Sequence, residues 1–282
     1  MGLRLLLVGA SLVHAYEPKF LDLPSSMQHA PEDPCYGAYF ASSSSDTDIV
    51  DSVAWNSYLD CKLLQYEGEA VEKVMYLGDS NMDYWASSYG VGVNVGASGA
   101  TCFGVDKHAQ KVLDAVHPET VILHCGTNDI WAEQGVEATF ASLQSVLAQL
   151  LAFPSVKKVL YISTVPEPGL IKYYGQGIVN LMHMEYNAYD ALVKQAVAGN
   201  DRVQYLDAHN SFLAAGNPLW LYAADEMHLS EHGYDVFEAL VSAANKDGCA
   251  YLICSPKHPA RHLLFMADQA SYIQPMVCRC AS

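Results

Sequence analysis

The feature that most constrains this chain is an alternation of two kinds of segment. Val74-Met75-Tyr76-Leu77 is a short apolar run closed by Gly78, and Val91 to Val95 is another, closed by Gly96. Thr120 to Cys125 ends in Gly126, Val159 to Ser163 ends near Pro166, and Val203 to Leu206 ends in Asp207. Runs of this length, bounded by Gly, Pro or Asp, fit parallel strands buried on both faces. Helical spacing fills the intervals. Residues 105–116 carry Val105, Ala109, Val112, Leu113 and Val116, and residues 135–151 carry Phe140, Leu143, Val146, Leu147, Leu150 and Leu151. Residues 180–197 and 231–246 have similar patterns, and a further helix is expected over 51–66, with Val53, Leu59, Leu63 and Leu64 as its apolar members. Strand-helix alternation predicts an α/β architecture, a parallel sheet with helices on both faces. In such sheets the binding crevice lies beyond the carboxyl ends of the strands. Functional residues are therefore expected directly after each run.

The 282 residues, 51% of them hydrophobic, suit one domain with a full core. A formal net charge of −16 repels phosphate backbones and anionic headgroups, so no nucleic-acid partner is expected. Residues 1–15 have the order of a secretory signal peptide. Arg4 precedes an apolar run through Val13, and Val13-His14-Ala15 offers a cleavage site that leaves Tyr16 first. The run is too short for stable membrane insertion. The expected product is a secreted, extracellular protein. Residues 16–72 read as an N-terminal extension, Pro-rich and Ser-rich at first and then the lead-in helix, and residues 251–282 as a tail without a readable pattern.

Eight cysteines, none in a Cys-x-x-Cys pair, favour disulfides over a zinc ribbon or a thioredoxin-type motif. Proximity alone pairs Cys35 with Cys61 and Cys249 with Cys254, while Cys102 and Cys125 read equally well as buried thiols.

Four features follow the strands or the last helical pattern. Gly78-Asp79-Ser80 places a serine at a strand-to-helix turn, where its hydroxyl projects into the crevice and a helix N-terminus favours developing negative charge. Alone, Ser80 reads better as a helix cap. Asn94-Val95-Gly96-Ala97-Ser98-Gly99-Ala100-Thr101 has glycines that let a backbone N–H approach a ligand, or that simply make a turn. Asn128, in Gly126-Thr127-Asn128-Asp129, has an amide that can donate to an oxyanion. Asp225-Glu226-Met227-His228 puts an acid three residues before a histidine, a spacing that lets the carboxylate orient the imidazole on one loop, with Ser230 as N-cap of the helix beyond.

In this order and placement, the four pieces resemble the SGNH hydrolases, the GDSL-type esterases and lipases. The resemblance spans about residues 73–243, within a hydrolase domain set at 73–250. It implies a three-layer α/β/α sandwich, a flavodoxin-like parallel five-stranded sheet of order 2-1-3-4-5, that hydrolyses carboxylic esters without a cofactor. It implies Ser80 as nucleophile, His228 as base and Asp225 as the acid that orients it. The implied oxyanion hole is the Ser80 and Gly99 N–H groups with the Asn128 side chain, Gly96 being the alternative to Gly99. Substrates in the family are small-molecule, lipid or acetylated carbohydrate esters. Asn81 stands where the name motif has Leu, a departure that bears on the lining of the acyl pocket. The segment Ser163 to Pro168 follows the fourth strand without an assigned role.

Two other readings compete. His228-Leu229-Ser230-Glu231-His232 matches the inverted zinc-protease pattern His-x-x-Glu-His, which requires His228 and His232 on one continuous helix. A non-catalytic binding protein on a hydrolase fold is the other, and loss of a catalytic residue would mark it.

Overall fold

The computed structural model describes Cys35 and residues 53–65, 74–85, 92–132 and 134–244. The expected signal peptide, the early extension, Cys249, Cys254, Cys278, Cys280 and the 251–282 tail lie outside the described residues. The elements run α1 (Val53–Gln65), β1 (Val74–Gly78), α2 (Ser80–Asp83), β2 (Val93–Asn94), α3 (Cys102–Val116), β3 (Thr120–His124), α4 (Thr127–Trp131), α5 (Val136–Ala152), β4 (Lys158–Ile162), α6 (Leu170–Val197), β5 (Val203–Leu206), α7 (Ala208–Ala214), a 3-10 turn (Leu219–Leu221) and α8 (Glu231–Ala244). The strands form one five-stranded sheet in the order β2-β1-β3-β4-β5, and every pairing is parallel. This is the expected flavodoxin-like α/β fold.

The apolar runs are continuous because both sheet faces are covered. Met75, Leu77, Val121, Leu123, Val159 and Tyr161 join one cluster with α3, α5 and the C-terminal part of α6. Their alternates Tyr76, Ile122, Leu160 and Ile162 join a second, with Trp85, Phe212 and the α8 residues Phe237 and Val241. The period-two switch between clusters is the strand pleat itself. Tyr58 and Leu59 of α1, with Cys35, also belong to the first cluster, so α1 is part of the core.

Three details depart from the expected boundaries. The second strand is only Val93–Asn94; beyond it the Asn94 side chain donates to the Met82 carbonyl and accepts from Gly96 N–H, while Val95 and Ala97 N–H still bond the Tyr76 and Gly78 carbonyls of β1. Helix α6 begins at Leu170 rather than at 180, with Gly175 at φ 76° and ψ 156° breaking the helical path inside it. That break and the neighbouring Gly177 erase the periodicity over the first turns. Finally, α2, α4 and α7 have four, five and seven residues, too short for a periodic signal.

Candidate active site

The site assembles at the carboxyl ends of β1 and β3. Gly78 closes β1 at φ 145°, and a Cβ there would lie 1.9 Å from the His124 carbonyl oxygen, so only glycine lets β1 run this close to β3 at the turn. Asp79 caps α2 by accepting from Asn81 N–H, which places Ser80 first in the helix. As the first residue of the helix, Ser80 has an N–H without an intrahelical acceptor.

The loop ahead of α8 brings in the other two groups. An antiparallel bridge between Tyr222 and Leu229 closes its base, and Glu226 takes a left-handed φ of 61° at its tip. Asp225 is buried. Its Oδ1 accepts from the Met227 and His228 N–H groups, both at 3.0 Å, and its Oδ2 lies 2.5 Å from His228 Nδ1. Burial pushes the Asp225 carboxyl up, but the bonds from His228 and the two N–H groups outweigh it and hold the acid below its ordinary range. His228 Nε2 lies 3.1 Å from Ser80 Oγ. The ring of Tyr84 packs edge-on against His228, at 5.0 Å between centroids.

The other two oxyanion candidates, the Gly99 turn and Asn128, lie in contact with one another. Residues 97–100 form a turn closed by Ala100 N–H to the Ala97 carbonyl, with Gly99 at φ 78°. The Gly99 N–H meets no acceptor among the described residues. Gly96 N–H, the alternative, is consumed by Asn94 Oδ1 at 2.9 Å. Asn128 lies in the first turn of α4 and spends one amide N–H on the Ala100 carbonyl at 2.9 Å, which fixes its side chain beside that turn and leaves the second N–H for a ligand.

A buried scaffold that sequence reasoning missed lies beneath these groups. Asp129 accepts from Cys102 N–H at 2.7 Å, tying the start of α3 to α4; burial raises its carboxyl to about 6. Cys102 and Cys125 form a disulfide, as do Cys35 and Cys61, so the thiol reading of Cys102 and Cys125 gives way to a bond. The even cysteine count was its signal. Asn81 is buried, with its amide nitrogen 3.3 Å from His124 Nε2. In the segment after β4, Glu167 is buried and accepts from Tyr186 OH at 3.0 Å, and Tyr186 OH in turn accepts from Trp131 Nε1. Burial raises Glu167 to about 8. No sequence spacing announces that chain of contacts.

The two histidines of the zinc reading part company. His228 precedes α8 and faces Asp225 and Ser80, whereas His232 lies within α8, beside Asp235 and Trp220 at the surface. Ser230 accepts from Gly233 N–H, as the expected N-cap. Among the described residues no group of three or more His, Cys, Asp or Glu is placed to hold a metal ion.

A parallel sheet with helices on both faces, and a serine, a histidine and an acid hydrogen-bonded in series beyond its strands, has the form of a hydrolase site on an α/β sandwich. The model of the GDSL-like lipase/acylhydrolase family matches residues 73–236, and the chain belongs to that family, as a carboxylic ester hydrolase of the SGNH superfamily. Solved structures share its fold. A catalytic mutant of the acetylxylan esterase Axe2 from Geobacillus stearothermophilus superposes with a TM-score of 0.52 at 19% identity, covering 65% of this chain and 97% of that one. A GDSL-like lipase from Bacteroides thetaiotaomicron gives 0.50 at 18% identity, covering 66% and 96%. No curated protein matches the chain.

Proposed function

We propose that this chain cleaves carboxylic esters through an acyl-enzyme on Ser80. The observation that carries the reading is the unbroken series Ser80 Oγ, His228 Nε2, His228 Nδ1, Asp225 Oδ2. In the first half-reaction His228 takes the Ser80 proton as Oγ attacks the ester carbonyl carbon. Negative charge moves to the carbonyl oxygen, where the Ser80 and Gly99 N–H groups and the free Asn128 amide N–H supply donors. The carbonyl-to-alkoxy bond then breaks, and His228 returns its proton to the departing alcohol. Water repeats the sequence on the acyl-enzyme, with His228 again as base, and releases the acid. Asp225 stays ionised throughout, holding the imidazole in one tautomer.

The substrates proposed are small-molecule, lipid or acetylated carbohydrate esters. The last is supported by the fold shared with an acetylxylan esterase. Export, with cleavage after Ala15, is proposed with it, and two disulfides in the described residues suit an oxidising compartment. Steady-state rates on p-nitrophenyl esters of increasing acyl length, beside acetylated xylan and sugar acetates, test the reading. Turnover of one series with Ser80 intact supports it, and inertness toward all of them with no fluorophosphonate labelling overturns it.

A further inference from the structure

Helix α1 lies outside the matched family segment, yet it reaches the site. Lys62 is fully buried, and its Nζ donates to Asp83 Oδ1 at 2.6 Å and to the Gly96 carbonyl at 2.8 Å. Tyr58, one turn earlier, donates its hydroxyl to the same Oδ1 at 2.6 Å. Asp83 sits on α2, three residues beyond Ser80. Its other oxygen, Oδ2, accepts from Ser98 N–H at 3.2 Å and from Ser98 Oγ at 2.8 Å. Ser98 immediately precedes Gly99. One carboxylate therefore joins three things: the extension, the nucleophile's helix and the oxyanion turn. The Cys35–Cys61 disulfide anchors α1 at the residue next to Lys62.

A buried ion pair is a poor device for stability, since apolar residues of similar volume often serve as well or better. It is a good device for fixing geometry, because a carboxylate with bonds on both oxygens can neither rotate nor translate without losing several of them. Here what it fixes is the separation between Ser80 and the Gly96–Gly99 loop.

We propose that Lys62 and Tyr58, supplied by the N-terminal extension, are positioning residues that act through Asp83 to set the Gly99 N–H against Ser80, so that the extension is a working part of the hydrolase. The inference rests on the proposed Ser80 mechanism and adds a requirement to it. An enzyme lacking α1 would retain its nucleophile and base but hold the oxyanion turn loosely. A misplacement of about 1 Å costs as much as a hundredfold in rate, and loss of one oxyanion donor costs roughly a hundredfold to a thousandfold.

The test compares the full-length enzyme with Lys62→Met, Tyr58→Phe and Ser98→Ala on p-nitrophenyl acetate. Far-ultraviolet circular dichroism and thermal melting verify folding. Inhibition by a boronic acid, which mimics the tetrahedral intermediate, supplies the discriminating readout. Lys62→Met should lower kcat by roughly tenfold to a hundredfold with KM nearly unchanged, and should weaken boronate inhibition in proportion. Tyr58→Phe and Ser98→Ala each remove a bond to Asp83 without stranding a buried charge, and should show a smaller loss of the same kind. They decide the matter if Lys62→Met does not fold. Lowered melting temperature with wild-type kcat and boronate affinity in the folded variants makes the network merely structural and overturns the proposal alone. Fluorophosphonate labelling of Ser80→Ala at the wild-type rate overturns the mechanism beneath it, and this inference with it.

Discussion

Cys102 is disulfide-bonded to Cys125, and the bond ties the chain just beyond the Gly99 turn to the end of β3, one residue before the turn that carries Asn128. Two of the three proposed oxyanion donors, the Gly99 N–H and the Asn128 amide, thus lie close in sequence to a single covalent link between sheet and helix. Around it, Cys102 N–H is held by Asp129, and the Cys125 carbonyl accepts from Tyr161 OH at 2.9 Å and Tyr189 OH at 3.1 Å.

Removing this link should therefore loosen both stability and rate. A bond closing a loop of this length contributes about 3 kcal/mol. The double variant Cys102→Ala, Cys125→Ala should lose about that much in denaturant unfolding, and kcat should fall while KM holds. Peptide mapping without reductant should recover the Cys102–Cys125 and Cys35–Cys61 pairs; four free thiols at these positions in native protein would contradict the structure.

The histidines offer a second check. His228→Ala should lower kcat by several orders of magnitude, and Asp225→Asn by about 10⁴-fold, because the amide stabilises the wrong tautomer of the base. His232→Ala should leave most activity in place, since its ring lies beside Asp235 and Trp220. Chelators should leave the rate unchanged. Activity that survives His228→Ala but vanishes with His232→Ala and with chelation would favour a metal enzyme.

Buried carboxyls give the fold a distinct pH dependence. Burial raises Glu167 to about 8, Asp190 to about 7 and Asp129 to about 6. Each binds a proton in the folded state that it has released in the unfolded chain, so stability is complete below the ordinary carboxylate range and is lost as pH climbs through these values. Asp225, held low, acts in the opposite sense and loses its contribution on acidification. Chemical-denaturation midpoints should fall between about pH 5 and pH 8.5, and Glu167→Gln should flatten the upper part of that decline. A Glu167→Gln profile parallel to wild type would show that Glu167 is not the group responsible.

The sheet was legible because five apolar runs end in turn residues, and the fold places those runs as its five strands. The candidate site residues were legible for a related reason: Ser80, Asn128 and the Asp225–His228 pair occupy strand ends or one tight loop, where spacing and position coincide. The supporting shell was not. Lys62 to Asp83, Thr164 to Asp190 and Glu167 to Tyr186 are bonded across 21, 26 and 19 residues, and no local pattern links such partners. The early start of α6 stayed hidden because Gly175 breaks the helical period within its first turns.

The most direct measurement is covalent labelling with a fluorophosphonate, run on wild type and Ser80→Ala in parallel with hydrolysis of p-nitrophenyl acetate. Wild type should label at one site, which peptide mass spectrometry places on Ser80, and should lose activity in step with labelling. Folded Ser80→Ala should do neither. Full labelling or undiminished hydrolysis by that variant would contradict the account at its centre.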